Sequence, residues 1–149
     1  MPDRPDWDAL ERAARDALPA LDFLLGEWDG AGQAHGQPLT GRLLARRILG
    51  GTVVETRETL HDAAGELDHE DLALYRCAPD RGLFVQHLQS PGWSSEHAVE
   101  LLDPGVAWDA GPVEPRVELV PHEGELLTFV FFPFDPKPVA QMRYRKVAP

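Results

Sequence analysis

The stretch Leu24-Leu25-Gly26-Glu27-Trp28-Asp29-Gly30-Ala31-Gly32 sits where the texture of the chain changes. Before it, residues 6–18 (DWDALERAARDAL) place Trp7, Leu10, Ala13, Ala14, Ala17 and Leu18 at helical spacing. Asp3 or Asp6 supplies a cap, Pro19 an end, and residues 20–25 a short further turn. After Gly26 the helical period gives way to short runs punctuated by glycine, proline and aspartate. Gly26, Gly30 and Gly32 flank the tryptophan where a first strand must bend and a Cβ would crowd its neighbours.

Ten strands are expected, at 26–35, 41–49, 52–60, 69–77, 82–89, 95–102, 105–110, 115–121, 125–132 and 140–147. The breaks between them include Gly50-Gly51, Pro79–Gly82, Pro91-Gly92, Gly111-Pro112 and Phe134–Pro138. Short strands joined by tight turns make an antiparallel meander, and closing it into a barrel removes its exposed edges. The chain therefore reads as one all-β domain over 1–149: a helical segment over 1–19, then an up-and-down barrel over 20–149. A β-sandwich and a cone-shaped α+β fold are the alternatives, the latter disfavoured by the single helical segment.

Composition narrows the partners. A formal charge of −11 argues against nucleic acid and anionic membranes, both of which demand a basic face. The lone Cys77, the absence of a long apolar run and the acidic start MPDRPDWDAL fit a soluble, cytoplasmic protein. Twelve arginines against two lysines, with no asparagine, are the slant of a GC-rich coding sequence and are not read as phosphate binding.

Alternation assigns the inner faces. Glu96 and Glu100 turn one face of their strand outward, so His97 points inward beside Val99 and Leu101. Val106 and Trp108 share an inner face, as do Val117 and Leu119. The run LLTFVFF, 126–132, is apolar on both faces, so one side lines the interior and the other packs under the helix or a second copy in a homodimer. His87 depends on register: a symmetric turn centred between Gly92 and Trp93 sets it against Ala98, facing out, and a slip by one residue turns it inward.

The pattern G-x-W-x-G-x-G after LDFLL resembles the first strand of calycin-like, fatty-acid-binding-protein-like barrels, closest to nitrobindin-type domains and related bacterial barrel families of unknown function. Arg46–Glu55 resembles the bend between two early strands there, and Met142–Val147 a last strand returning to the opening tryptophan. The resemblance implies a small-molecule-binding barrel whose floor is Gly26, Trp28, Gly30 and Gly32, with Arg143 or Arg145 stacked over the Trp28 ring. It also implies haem held by a histidine near the C-terminus. Residues 133–149 contain none, which disfavours haem and leaves no cofactor expected; His97 or His87 would be the substitute ligands.

The chemistry open to the barrel is limited. Histidines 35, 61, 69, 87, 97 and 122 make no H-x-H, H-x-x-H or H-E-x-x-H pattern, so no metal is expected. Residues 35, 61, 69 and 122 lie in or beside turns and read as solvated. There is no G-x-S-x-G, and Cys77 reads as a small buried hydrophobe. The expected function is binding of a small, partly apolar ligand, lined by His97, Tyr75, Arg57, Trp108, Phe129 and Tyr144. Two rivals stand beside it. One is a barrel enzyme using His97 as acid or base, helped by Glu55 or Asp71; the other is a structural or dimerising module with a filled lumen.

Overall fold

In the computed structural model, which describes residues 4, 6–109 and 115–147, ten antiparallel strands close into a barrel. The strands are β1 (Gly26–Ala34), β2 (Gln37–Ile48), β3 (Val53–His61), β4 (Leu67–Ala78), β5 (Gly82–Gln89), β6 (Trp93–Leu102), β7 (Gly105–Asp109), β8 (Arg116–His122), β9 (Glu125–Phe131) and β10 (Ala140–Lys146). Each pairs with the next in sequence, and β10 returns to β1 in register from Trp28↔Lys146 to Ala34↔Ala140. Asp3, the end of the strand expected over 105–110 and the Gly111-Pro112 break lie outside the described residues.

Helix α1 (Trp7–Ala17) begins where Asp6 accepts a hydrogen bond from the Ala9 N–H at 3.0 Å. Pro19 follows, and the chain tightens into a 3-10 helix, Leu18–Leu24. Its Leu18, Leu21 and Leu24 are fully buried, packed with Trp28, Val54, Tyr75, Val85, Val106 and Leu126 in one core. These inward side chains belong to the ends of their strands nearest Gly26, so the apolar helix stoppers that end of the barrel. Burying a leucine side chain fully contributes about 1.5–3 kcal/mol, so the stopper holds by area alone. None of the described helices is long and apolar enough to cross a membrane.

Register along the whole circuit assigns every inner face. Trp28, Gly30 and Gly32 oppose Lys146, Tyr144 and Met142 on one side, and Leu43, Gly41 and Leu39 on the other. A Cβ on Gly30 would lie 2.5 Å from the Tyr144 ring and 2.6 Å from the Arg143 carbonyl oxygen. One on Gly41 would lie 2.6 Å from the Tyr144 hydroxyl, and one on Gly32 would collide with the Gln141 backbone. The glycines thus make room for Tyr144 and for β10 itself. Of Gly26, Gly30, Gly32 and Gly41, Gly26 alone has a positive φ, +129°, which a side chain rarely adopts.

Two expectations about the floor and the wall are corrected. Arg143 and Arg145 do not cover Trp28: they alternate outward from Met142 and Tyr144 and both pair with Glu125, at 3.1 and 3.3 Å. Lys146 occupies that place, its ammonium 5.3 Å from the indole centroid, while the Trp28 N–H donates to the Leu24 carbonyl at 2.8 Å. With Lys146 exposed, the cation–π contact lies near the lower end of its range, about 0.5 kcal/mol. Phe129 also faces outward, opposite Gln141 and Glu118, with its ring 6.0 Å from Phe131. The inward residues of β9 are Leu126, Thr128 and Val130.

Replacing Gly30 with alanine is expected to destabilise the barrel by about 1–3 kcal/mol, because ring and backbone must both shift to admit the methyl group. Urea unfolding of the variant against the wild type measures this. Unchanged stability would contradict the tight seat of Tyr144.

Candidate functional site

The interior changes character along the barrel axis. At the stoppered end the inward side chains are apolar and buried. At the other end, where β3 finishes and β4 begins, the inward side chains of β4, β5 and β6 are His69, Asp71, His87, Gln89, Ser95 and His97. Several inward residues here keep partial exposure inside a closed barrel, among them Ala34, Leu60, His69, Gln89, Ser95, Val117 and Val130. Below this rim the inward His87, His97, Trp108, Thr128 and Met142 are buried.

Asp71 organises the polar wall. Its Oδ1 lies 3.0 Å from His87 Nε2 and its Oδ2 lies 2.9 Å from His69 Nε2. The side chains of Asp71 and His87 are 17% and 9% exposed, so the dyad is screened from bulk water yet borders the mouth. Burial alone would raise the Asp71 carboxyl, but the two imidazole hydrogen bonds and their charges outweigh it and hold it below the usual value. The bond to Asp71 is the main cause that raises His69 above an ordinary histidine.

Deeper in, Tyr144 donates to Glu58 at 2.6 Å. Glu58 keeps some accessible surface, yet protein atoms crowd it, and that desolvation pushes its carboxyl up to about 7 against the lowering effect of the Tyr144 bond. Burial likewise raises the Tyr144 and Tyr75 phenols, which stay protonated at any working pH. Trp108 stands in the middle, stacked on His97 at 4.9 Å and 12° and tilted against His87 at 4.9 Å and 58°. Its indole N–H is buried and completes no hydrogen bond, although it lies near enough to Tyr75 to draw that phenol's pKa down.

Each expected ligand residue now has a place. His97, Tyr75, Trp108 and Tyr144 all face inward, Tyr75 toward the plug. His97 bonds Ser95 Oγ at 2.7 Å; the acid expected beside it, Asp71, stands instead beside His87. Arg57 faces outward on β3, more than half exposed, 3.5 Å from the outward Glu55. The hairpin joining β5 and β6 is centred on Pro91, pairing Val85 with His97 and His87 with Ser95, and so both histidines turn inward. His69, expected to be solvated beside a turn, is the residue that spacing missed: it lies two residues before Asp71 on the same inner face. Among the described residues no three His, Cys, Asp or Glu side chains converge in metal-ligand geometry. Two shallow grooves, about 220 and 420 Å³, lie over β4, β5 and β6 and are bordered chiefly by the outward residues Leu72, Leu74, Gln86 and Leu88.

No family model matches the chain, and no curated protein does. The crystal structure of Rv2717c from M. tuberculosis is similar, with a TM-score of 0.60 and 13% identity over 88% of this chain and 97% of that one. At this identity the likeness carries the barrel fold alone.

Between pH 4.5 and 7 the folded protein holds the Glu58 proton that the unfolded chain has released, so this group lowers stability as pH rises through that window. Glu58→Gln removes the titration and keeps an acceptor for Tyr144. The stability of E58Q relative to wild type is expected to climb by up to about 3 kcal/mol from pH 4.5 to 8. Denaturant titrations across pH check it, and a constant difference would place Glu58 in water.

Proposed function

We propose that the protein binds a small, partly apolar molecule in the mouth of the barrel, between the polar wall of β4–β6 and the apolar wall of β8, β9 and β1. The supporting observation is the set of inward side chains that stay partly water-accessible inside a closed barrel stoppered at its other end. Contact with Val117, Val130 and Trp108 would supply affinity, while His69, Asp71 and His87 would orient one polar group. Arg57 and Phe129 face the wrong side to take part.

Haem does not fit the route implied by the resemblance. β10 turns Ala140, Met142, Tyr144 and Lys146 inward and offers no imidazole, and Tyr144 is engaged with Glu58. His87 and His97 are bonded to Asp71 and Ser95 and packed on Trp108. The reading therefore assigns no cofactor.

Titration with Nile red, an uncharged fluorescent probe, is expected to give saturable one-to-one binding. Val117→Trp, which fills the mouth from β8, is expected to weaken that binding at least tenfold, roughly 1.4 kcal/mol, while circular dichroism stays that of a barrel. Failure of the wild type to bind, or equal binding by V117W, overturns the reading.

A further inference from the structure

A carboxylate accepts hydrogen bonds and donates none, so ionised Asp71 forces both imidazoles facing it to present Nε2–H. In the neutral ring that fixes the tautomer of His87 and leaves its Nδ1 as a lone pair inside the barrel. The neighbour of this atom is the Gln89 amide, which donates to it over 3.4 Å, long and readily displaced. Close by, the buried Trp108 N–H has no acceptor. The mouth thus presents a lone pair in surroundings completed by Leu39, Val117 and Val130.

The molecule complementary to that lone pair carries an acidic hydrogen that it can give up to it. We propose that the mouth takes weak oxygen acids, with aryl hydroxyls such as phenols as the class, and binds them as anions after His87 Nδ1 accepts their proton. This rests on the mouth being the ligand site. In the step the ligand O–H bond breaks, an N–H bond forms on His87, and the electron pair stays on the ligand oxygen; no other reactant is needed. A neutral acid enters the apolar mouth without the cost of desolvating a charge, and ionises only beside the group that takes its proton.

The groups around His87 favour the transfer. Asp71 on β4, 3.0 Å from the ring, pairs with the imidazolium once it forms, and Glu58 on β3 stands deeper, bonded by Tyr144. His69 opposes it from the far side of Asp71; on β6, His97 bonds Ser95, and on β7 the indole of Trp108 packs against the ring. Asp71 is on this account a positioning residue and His87 the group that meets the ligand.

The test uses 4-nitrophenol, whose phenolate is yellow and whose phenol is nearly colourless. One pH unit below the probe's own pKa only about a tenth of it is ionised in water. The bound probe is expected to be mostly phenolate, at least a tenfold shift in its ionisation ratio. His87→Gln and Asp71→Asn are each expected to weaken binding of the probe and to abolish the colour of whatever remains bound. In the wild type itself, long-range ¹H–¹⁵N spectra are expected to show His87 with Nδ1 unprotonated, becoming doubly protonated when the probe is added. Binding without colour in the wild type, an unchanged His87 ring, or equal colour in H87Q overturns the proposal and leaves the binding reading standing. Absence of binding by both Nile red and 4-nitrophenol overturns both.

Discussion

Tyr144 can occupy its place only because three Cβ atoms are missing around it. Its ring lies against Gly30, its hydroxyl stands over Gly41, and Gly32 lets the β10 backbone approach β1 closely. The seam between first and last strands could not close at this spacing with alanine at those positions. From that seat the hydroxyl reaches Glu58, 86 residues earlier in the chain, and bonds it at 2.6 Å. One side chain thereby ties β10 to β3 across the interior. Together with Tyr75 it also divides the lumen into an apolar floor and a wet mouth.

How much of this was legible depends on what each segment's alternation could say. The ten strands follow from turn chemistry and the inward Val106, Trp108, Val117 and Leu119 from charged residues marking the opposite face. LLTFVFF offers no such mark, so the outward direction of Phe129 required the register with β10. Lys146 was readable: Met142 and Tyr144 alternate with Arg143 and Arg145, and that pattern already turns the arginines outward. The same two-residue spacing relates His69 to Asp71 and turns it inward, despite its nearness to a turn. His87 could not be placed, because its face hangs on a hairpin centred at Pro91 rather than between Gly92 and Trp93.

The outward surface bears on the acidic charge as well. Arg42, Arg46, Arg116, Arg143 and Arg145 all point away from the lumen and pair with carboxylates on neighbouring strands, Asp29, Glu55, Asp109 and Glu125. Exposed pairs of this kind contribute about 0–1 kcal/mol each, so they decorate the barrel more than they hold it. None of these guanidinium groups enters the lumen, and the cationic groups of the polar wall are therefore imidazoles.

The mouth is more polar on one side than on the other, where Thr128 is the inward polar residue of β9. His69, Asp71, His87, Gln89, Ser95 and His97 occupy three consecutive strands, whereas Ala34, Leu39, Val117, Val130 and Met142 face them from the remainder of the circuit. Placing a hydrogen-bonding head against the second wall would strip it of water with little in exchange, at about 1–3 kcal/mol on protein scales. A ligand with one polar end therefore has one favourable orientation, head toward β4–β6 and body toward β8–β1. Because Asp71 already engages an imidazole with each of its oxygens, the carboxylate is an anchor for the histidines.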